Sequence, residues 1–179
     1  MNNPSPTTTL KGHLEKITYY NRENHYTIAK LRIRDIQNPV TVLGYMPDPN
    51  PGEVLKITGT WETHPTYGEQ LKIDTFEVIL PATIEGIKKY LKSGFIKGIG
   101  EKTALRLISH FKSKTLEVIE NKPEKLLDVR GIGKAAADKI TKAWKEHHSM
   151  RRLINFLGEN GIKTSCGAKI FKLYGQDAV

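Results

Sequence analysis

Cysteine is nearly absent: Cys166 stands alone among 179 residues. It has no partner for an internal disulfide, which fits a reducing compartment and a fold held by its core. No run approaches the eighteen or so apolar residues of a membrane helix. The opening stretch, Met1 to Thr9, lacks the apolar centre of a secretory signal. Being polar and proline-containing, it reads as a disordered tail. These absences predict a cytoplasmic protein. Catalytic sets are missing too. No nucleophile shares a motif with a base, and the carboxylates are scattered. His147 and His148 are adjacent, face different ways on a helix, and are expected at the surface rather than on a metal. Acidic residues are also scarce in one half. Residues 1–80 hold 8 Lys/Arg against 9 Asp/Glu, whereas residues 81–179 hold 20 against 10. The net charge of +9 therefore resides in the second half, which will draw polyanions.

What is present divides at Pro81. Before it come five runs rich in β-branched and aromatic residues: Leu10 to Tyr20, Tyr26 to Ile33, Val40 to Gly44, Val54 to Trp61 and Leu71 to Leu80. Polar turns separate them, with no room for helices, so a small closed barrel of the OB type is expected. After Pro81 the apolar period changes from 2 to 3.6. Thr83 can cap a helix with Ile84, Ile87 and Leu91 inward, stopped by Gly94. A second helix is expected over Glu101 to Phe111, with Ala104, Leu105, Ile108 and Phe111 inward, then a turn at Lys112 to Lys114. Further helices are expected around Leu116 to Ile119, from Pro123, over Lys134 to His147, and over Arg151 to Glu159. The expected fold class is α+β in two domains. Residues 1–9 form the tail, 10–81 the five-stranded OB-like β-barrel, and 82–179 an all-α domain.

The helical half repeats a phrase at a distance of 33 residues: Lys97-Gly98-Ile99-Gly100-Glu101-Lys102-Thr103-Ala104 and Arg130-Gly131-Ile132-Gly133-Lys134-Ala135-Ala136-Ala137. Gly98 and Gly131 can turn the chain with φ > 0. Ile99 and Ile132 can plug the turn into the core. Gly100 and Gly133 keep side chains away from the backbone N–H groups that open the next helix, a ready site for a phosphate oxygen. Lys102, Thr103 and Lys134 lie in that first helical turn. A lysine there opposes the helix macrodipole, which suits an anionic ligand better than it suits stability. A third copy, Gly161-Ile162-Lys163, replaces the second glycine by lysine, so it is expected to keep the helical pair for packing and to lose the phosphate. The turns do not make an ATP loop: Gly133-Lys134 is followed by Ala135 and preceded at the leading position by Asp128, and Gly100 and Lys102 are separated by Glu101.

Two such phrases in one register resemble the helix-hairpin-helix family. The resemblance implies tandem hairpins that bind DNA through backbone phosphates without base readout, with Gly98, Gly100, Lys102, Thr103, Gly131, Gly133 and Lys134 as contacts. The alternative is a plain helical repeat. In the barrel, Tyr19, Tyr20, Tyr26, Trp61 and Tyr67 are candidates for stacking bases. Strand neighbours point to opposite faces, so some of these rings belong to the core instead. The barrel's slight acidity favours a packing or protein-facing role.

Two families join a small barrel to tandem hairpins: the RuvA-like Holliday-junction binders and the N-terminal region of the stand-alone RecD-like (exodeoxyribonuclease V alpha-chain-like) DNA helicases. Several stretches resemble the second. They are Gly12 to Tyr19, Asn21 to Thr27, Gly59-Thr60-Trp61-Glu62-Thr63-His64-Pro65-Thr66-Tyr67-Gly68-Glu69-Gln70 and Tyr90-Leu91-Lys92-Ser93-Gly94-Phe95-Ile96-Lys97-Gly98-Ile99-Gly100. The resemblance implies a parent that hydrolyses ATP with Mg and unwinds DNA 5′→3′ in repair and recombination. The chain reads as its non-catalytic, DNA-engaging front end, cut just after Gly175. It would carry no cofactor of its own, act as a monomer, and have single-stranded, duplex or forked DNA and its own motor domains as partners. A protein-interaction adaptor with purely structural hairpins is the reading from a different class.

Overall fold

The computed structural model describes residues 6–94 and 96–178. Five strands come first: β1 (Thr7–Tyr20), β2 (Tyr26–Ile33), β3 (Val40–Tyr45), β4 (Val54–His64) and β5 (Gly68–Ile79). They close into a barrel in the order β1-β2-β3-β5-β4, with β4 returning to β1. All pairs are antiparallel except β3 with β5. One long strand serves both sides of the closure. The first half of β1 pairs with β4 (Thr7↔Thr60 to His13↔Val54), and its second half pairs with β2 (Gly12↔Ile33 to Tyr20↔Thr27). Thr7 to Thr9 therefore belong to the sheet, not to a tail: three β-branched residues find open partners on β4. The rest of the expected tail, residues 1–5, lies outside the described residues. The two pairings overlap at Gly12 and His13, where β1 closes the barrel.

Alternation fills the barrel. Leu14, Ala29, Leu31, Val42, Leu55, Ile57, Leu71 and Phe76 point inward and are buried. The β1–β2 turn is set by Asn21, whose Oδ1 accepts from the Glu23 N–H at 2.8 Å and the Asn24 N–H at 3.3 Å. Gly59 sits at a register shift of β4 opposite β5, and a Cβ there would run into the Lys72 carbonyl.

The helical elements are α1 (Ile84–Lys92), α2 (Glu101–Phe111), α3 (Thr115–Asn121), α4 (Lys134–Glu159) and α5 (Gly167–Tyr174). Thr83 caps α1 as its composition predicts, accepting from the Gly86 N–H at 3.1 Å. Three expectations change. Ile84 and Leu105 are 44% and 43% exposed, and Tyr90 and Leu107 take their places inside. The segment from Pro123 to Asp128 is a 3-10 helix. The two helices expected over 134–147 and 151–159 are one, because His148-Ser149-Met150 contains neither glycine nor proline to break the ladder. The uninterrupted helix carries His147 on the face of Ile140 and Trp144, so it is buried rather than at the surface.

The chain forms two compact units, Met1–Ile79 with Ser149–Val179, and Leu80–His148. The segment after His148, assigned from sequence to the helical domain, thus groups with the barrel. The physical reason is local to the first unit. Arg151, 4% exposed, gives a bidentate ion pair to Glu53 at 3.1 Å for both oxygens, and donates to the carbonyls of Pro47 (3.2 Å) and Asp48 (2.6 Å). Asn155 receives the Phe76 N–H at 2.9 Å and gives its own amide to the Phe76 carbonyl. Ile154 joins the barrel core. The second unit has a separate core, in which Ile87, Leu91, Ile99, Leu107, Ile132 and Ile140 are buried together. Among the described residues no helix is long and apolar enough to cross a membrane.

Candidate nucleic-acid interface

The two repeated turns have the same construction. Gly98 and Gly131 take φ of 99° and 84°, a region costly for any residue with a Cβ. The next residue closes the turn on the carbonyl three positions back: Ile99 N–H to Ile96 at 3.1 Å, and Ile132 N–H to Val129 at 3.0 Å. Its side chain enters the core, with Ile99 4% and Ile132 6% exposed. Burying each of these is worth roughly 1.5–3 kcal/mol. The carbonyls of Gly100 and Gly133 accept the first helical bonds, from Ala104 at 2.9 Å and Ala137 at 3.0 Å. Both alanines are buried where a larger side chain would hold the elements apart.

The second glycine of each turn is informative for a different reason. Gly100 has φ −87° and ψ 177°, ordinary extended backbone open to any residue. Gly133 is not among the positive-φ positions. A Cβ built on either meets nothing within 4 Å. The chain itself therefore gives no conformational or packing reason for glycine at these two positions. They are exposed, and Gly100 as N-cap offers α2 no side-chain cap. Without a side chain there, the first-turn N–H groups stay open to solvent.

Lys102, Lys134 and the partly exposed Thr103 lie in these first helical turns. The turns differ in charge. The position held by Lys134 in the second is held in the first by Glu101, which pairs with Lys92. That contact, a hydrogen bond reinforced by charge, holds the Glu101 carboxyl below its ordinary range.

Each helix also reaches the other turn. A Cβ at Gly98 would meet the aliphatic stem of Lys139 on α4, at 3.3 Å from its Cγ, and a Cβ at Gly131 would strike the guanidinium of Arg106 on α2. Arg106 and Lys139 are themselves 33 residues apart, so the repeat exchanges equivalent cations. Neither was singled out from sequence, where only their 33-residue spacing is visible and not their contact with the turns.

The third copy is built differently. Gly161 has φ 66°, but the Ile162 N–H bonds to the Leu157 carbonyl at 2.8 Å and the Gly161 N–H to Gly158 at 3.1 Å, a helix end of the Schellman type. Ile162 is 47% exposed, and a 3-10 turn, Thr164–Cys166, precedes α5.

The barrel aromatics do not gather. Tyr19 and Tyr67 are 50% and 72% exposed. Tyr67 lies 4.8 Å from the ring of His64 at the β4–β5 tip, and Tyr26 packs edge-on against its cross-strand neighbour Tyr45 at 5.4 Å. Trp61 is on the inward register of β4 and packs on the barrel core. The Tyr20 hydroxyl is engaged by His25 Nδ1 at 2.7 Å and by the Asp48 N–H at 3.1 Å. Among the described residues no cluster of His, Cys, Asp and Glu is placed to hold a metal ion.

Comparison with known proteins agrees with this architecture. Residues 7–81 match the OB-fold domain of the ATP-dependent DNA helicase YrrC, and residues 88–146 match the SAM-like helix-hairpin-helix tandem. The ATP-dependent RecD2 DNA helicase of Deinococcus radiodurans is 25% identical over 182 residues, covering 98% of this chain. The chain spans 25% of that relative's length. Among solved structures, an OBody NL8 bound to hen egg-white lysozyme is 18% identical, with a TM-score of 0.35, over 44% of this chain and 98% of the other. The two family models occur in this order on either side of the strand-to-helix change, and the helicase relative aligns across both. Over both parts the chain is thus similar to RecD-like DNA helicases, in the order barrel then helix-hairpin-helix tandem.

Proposed function

We propose that this chain binds DNA without sequence preference by gripping backbone phosphates in its two Gly-Ile-Gly turns. It would serve as the DNA-engaging front end of a 5′→3′ ATP-dependent helicase. The single observation that carries this reading is the second glycine of each turn, which the fold itself does not require and which keeps the helix-opening N–H groups uncovered. Lys102 and Lys134 add charge beside those N–H groups, and Gly98, Gly131 and Thr103 shape the turns. ATP hydrolysis, Mg binding and unwinding in repair or recombination would belong to motor domains of such a parent. This chain's residues hold the DNA that those domains act on. The cytoplasm is the compartment in which that work is done.

The test is a titration with single-stranded, duplex and forked DNA over a salt series. Binding should weaken linearly in log–log form as salt rises, and replacing both Lys102 and Lys134 by Ala should lower the slope by roughly two units. A double variant that matches the parent at every salt concentration removes the hairpins from the interface. A tetramer that prefers four-way junctions would favour the RuvA-like alternative. Binding no DNA beyond the weak pull of net charge would favour the adaptor.

A further inference from the structure

The turn phrase accounts for Gly131 and Gly133 but leaves unexplained the cleft beside them. That cleft has a volume of about 260 Å³ and is lined by Arg106, Ser109 and His110 from α2 and by Val129 and Arg130 from the second turn. The three α2 residues are spaced i, i+3, i+4, so they form one face of that helix. The Arg106 guanidinium lies against the backbone of Gly131. Among the described residues neither Arg106 nor Arg130 has an ion-pair partner, and no carboxylate lines the cleft. Two arginines, a serine and a histidine thus line a space several water molecules in size.

We propose that this cleft is a second phosphodiester subsite, occupied by a backbone phosphate of the DNA strand whose neighbouring phosphate sits on the N–H groups of the second turn. The chemistry is specific to a tetrahedral oxyanion. Arginine offers paired donors to two oxygens at once, and bringing two unpaired arginines together becomes favourable when an anion lies between them. Ser109 can donate a further hydrogen bond. The repeat supports a role tied to the turn. The residue equivalent to Arg106 is Lys139, which crosses Gly98 in the same manner, so each hairpin receives a cation from the other's helix. Turn two receives the arginine and has the cleft, which makes it the stronger of the two grips.

This inference rests on the hairpins binding DNA, and its test separates the two claims. The full 179-residue chain is titrated with a 15-base-pair duplex over a salt series, alongside Lys134→Ala and the double variant Arg106→Gln, Arg130→Gln. Their folding is checked by circular dichroism and thermal melting. The double variant should lower the salt slope by about one unit relative to the unaltered chain, since each neutralised phosphate contributes about 0.9. If Lys134→Ala lowers the slope and the arginine variant does not, the cleft is not a subsite and the hairpin reading stands. A parent chain that binds no duplex overturns both. Should the variant unfold, the unaltered chain decides. The Arg106 and Arg130 Nε–H resonances should both shift on adding the duplex and not on adding sodium chloride alone, and unmoved resonances overturn the proposal.

Discussion

The first two Gly-Ile turns and the third share a phrase and a positive-φ glycine but differ in what the isoleucine does. In the first two, the isoleucine enters the core and closes the turn three residues back. In the third, Ile162 is half exposed and its N–H reaches back five residues to Leu157. A glycine with positive φ is common to all three, so it specifies only that a helix ends. What sets the first two turns apart is the burial of the next residue, which fixes the direction of the following helix. The third region is held by other means: Arg151, Asn155 and Ile154 seat the end of α4 on the barrel.

The largest effects should come from the groups that hold each region. Ile132→Ala should cost about 2–5 kcal/mol in urea unfolding, because it empties a packed site. Ile162→Ala should change stability by no more than about 0.5 kcal/mol. In the third region the sensitive residue is Arg151. Its replacement by Ala removes the cation from the Glu53 carboxylate, 1% exposed at its side chain, and should cost about 3–5 kcal/mol. Equal losses for the two isoleucine variants would break the distinction between the turns.

Glycine substitutions sharpen it further. Gly98→Ala and Gly131→Ala are strained by φ and crowded by Lys139 and Arg106, so they should lose stability and DNA binding together. Gly100→Ala and Gly133→Ala should alter stability by at most about 1 kcal/mol, since Gly and Ala differ modestly at an N-cap and the methyl has open space. Their DNA affinity should nevertheless fall at least about ten-fold, the loss of a charge-assisted hydrogen bond worth roughly 1.5–3 kcal/mol. Equilibrium binding beside thermal melting separates the two classes. A weak binder among the first pair that remains fully stable would contradict the structural role of the positive φ.

The barrel was legible because its strands alternate and its turns are polar. β2 falls on Tyr26–Ile33 as the pattern predicts, and the others differ only at their ends. The turn geometry of the first two copies was legible from glycine and isoleucine alone. The cross-hairpin cations were not, because Arg106 and Lys139 sit beyond the phrase and their meeting with Gly131 and Gly98 depends on how the helices pack. The destiny of the segment after His148 was also hidden. Nothing in Arg151 declares that it will find Glu53, 98 residues earlier, in a barrel loop. A lone arginine in a basic helical stretch looks like one more solvated charge.

A smaller effect tests the asymmetry between the first two turns. Glu101 stands where the second turn has Lys134, and its carboxylate is committed to Lys92. Glu101→Lys would remove a negative charge from the mouth of the first helix and add a positive one, which should raise duplex affinity several-fold at low salt and steepen the salt slope by about one unit.

The smallest expected effect is the most discriminating. Lys163→Gly restores the third copy to Gly-Ile-Gly, and if the phrase alone made a phosphate site this variant would gain one. Lys163 already has φ −59° and ψ 109°, so glycine relieves no strain there. Its removal would leave Ile162 outside the core, the Schellman closure on Leu157 intact, and a 3-10 turn before α5 instead of an α-helical N-terminus. The N–H groups would remain without the alignment that the first two turns provide, and one cation would be lost. DNA affinity should therefore stay level or fall slightly across the salt series. A rise in affinity would show that the second glycine, and not the buried isoleucine, is what makes the cradle.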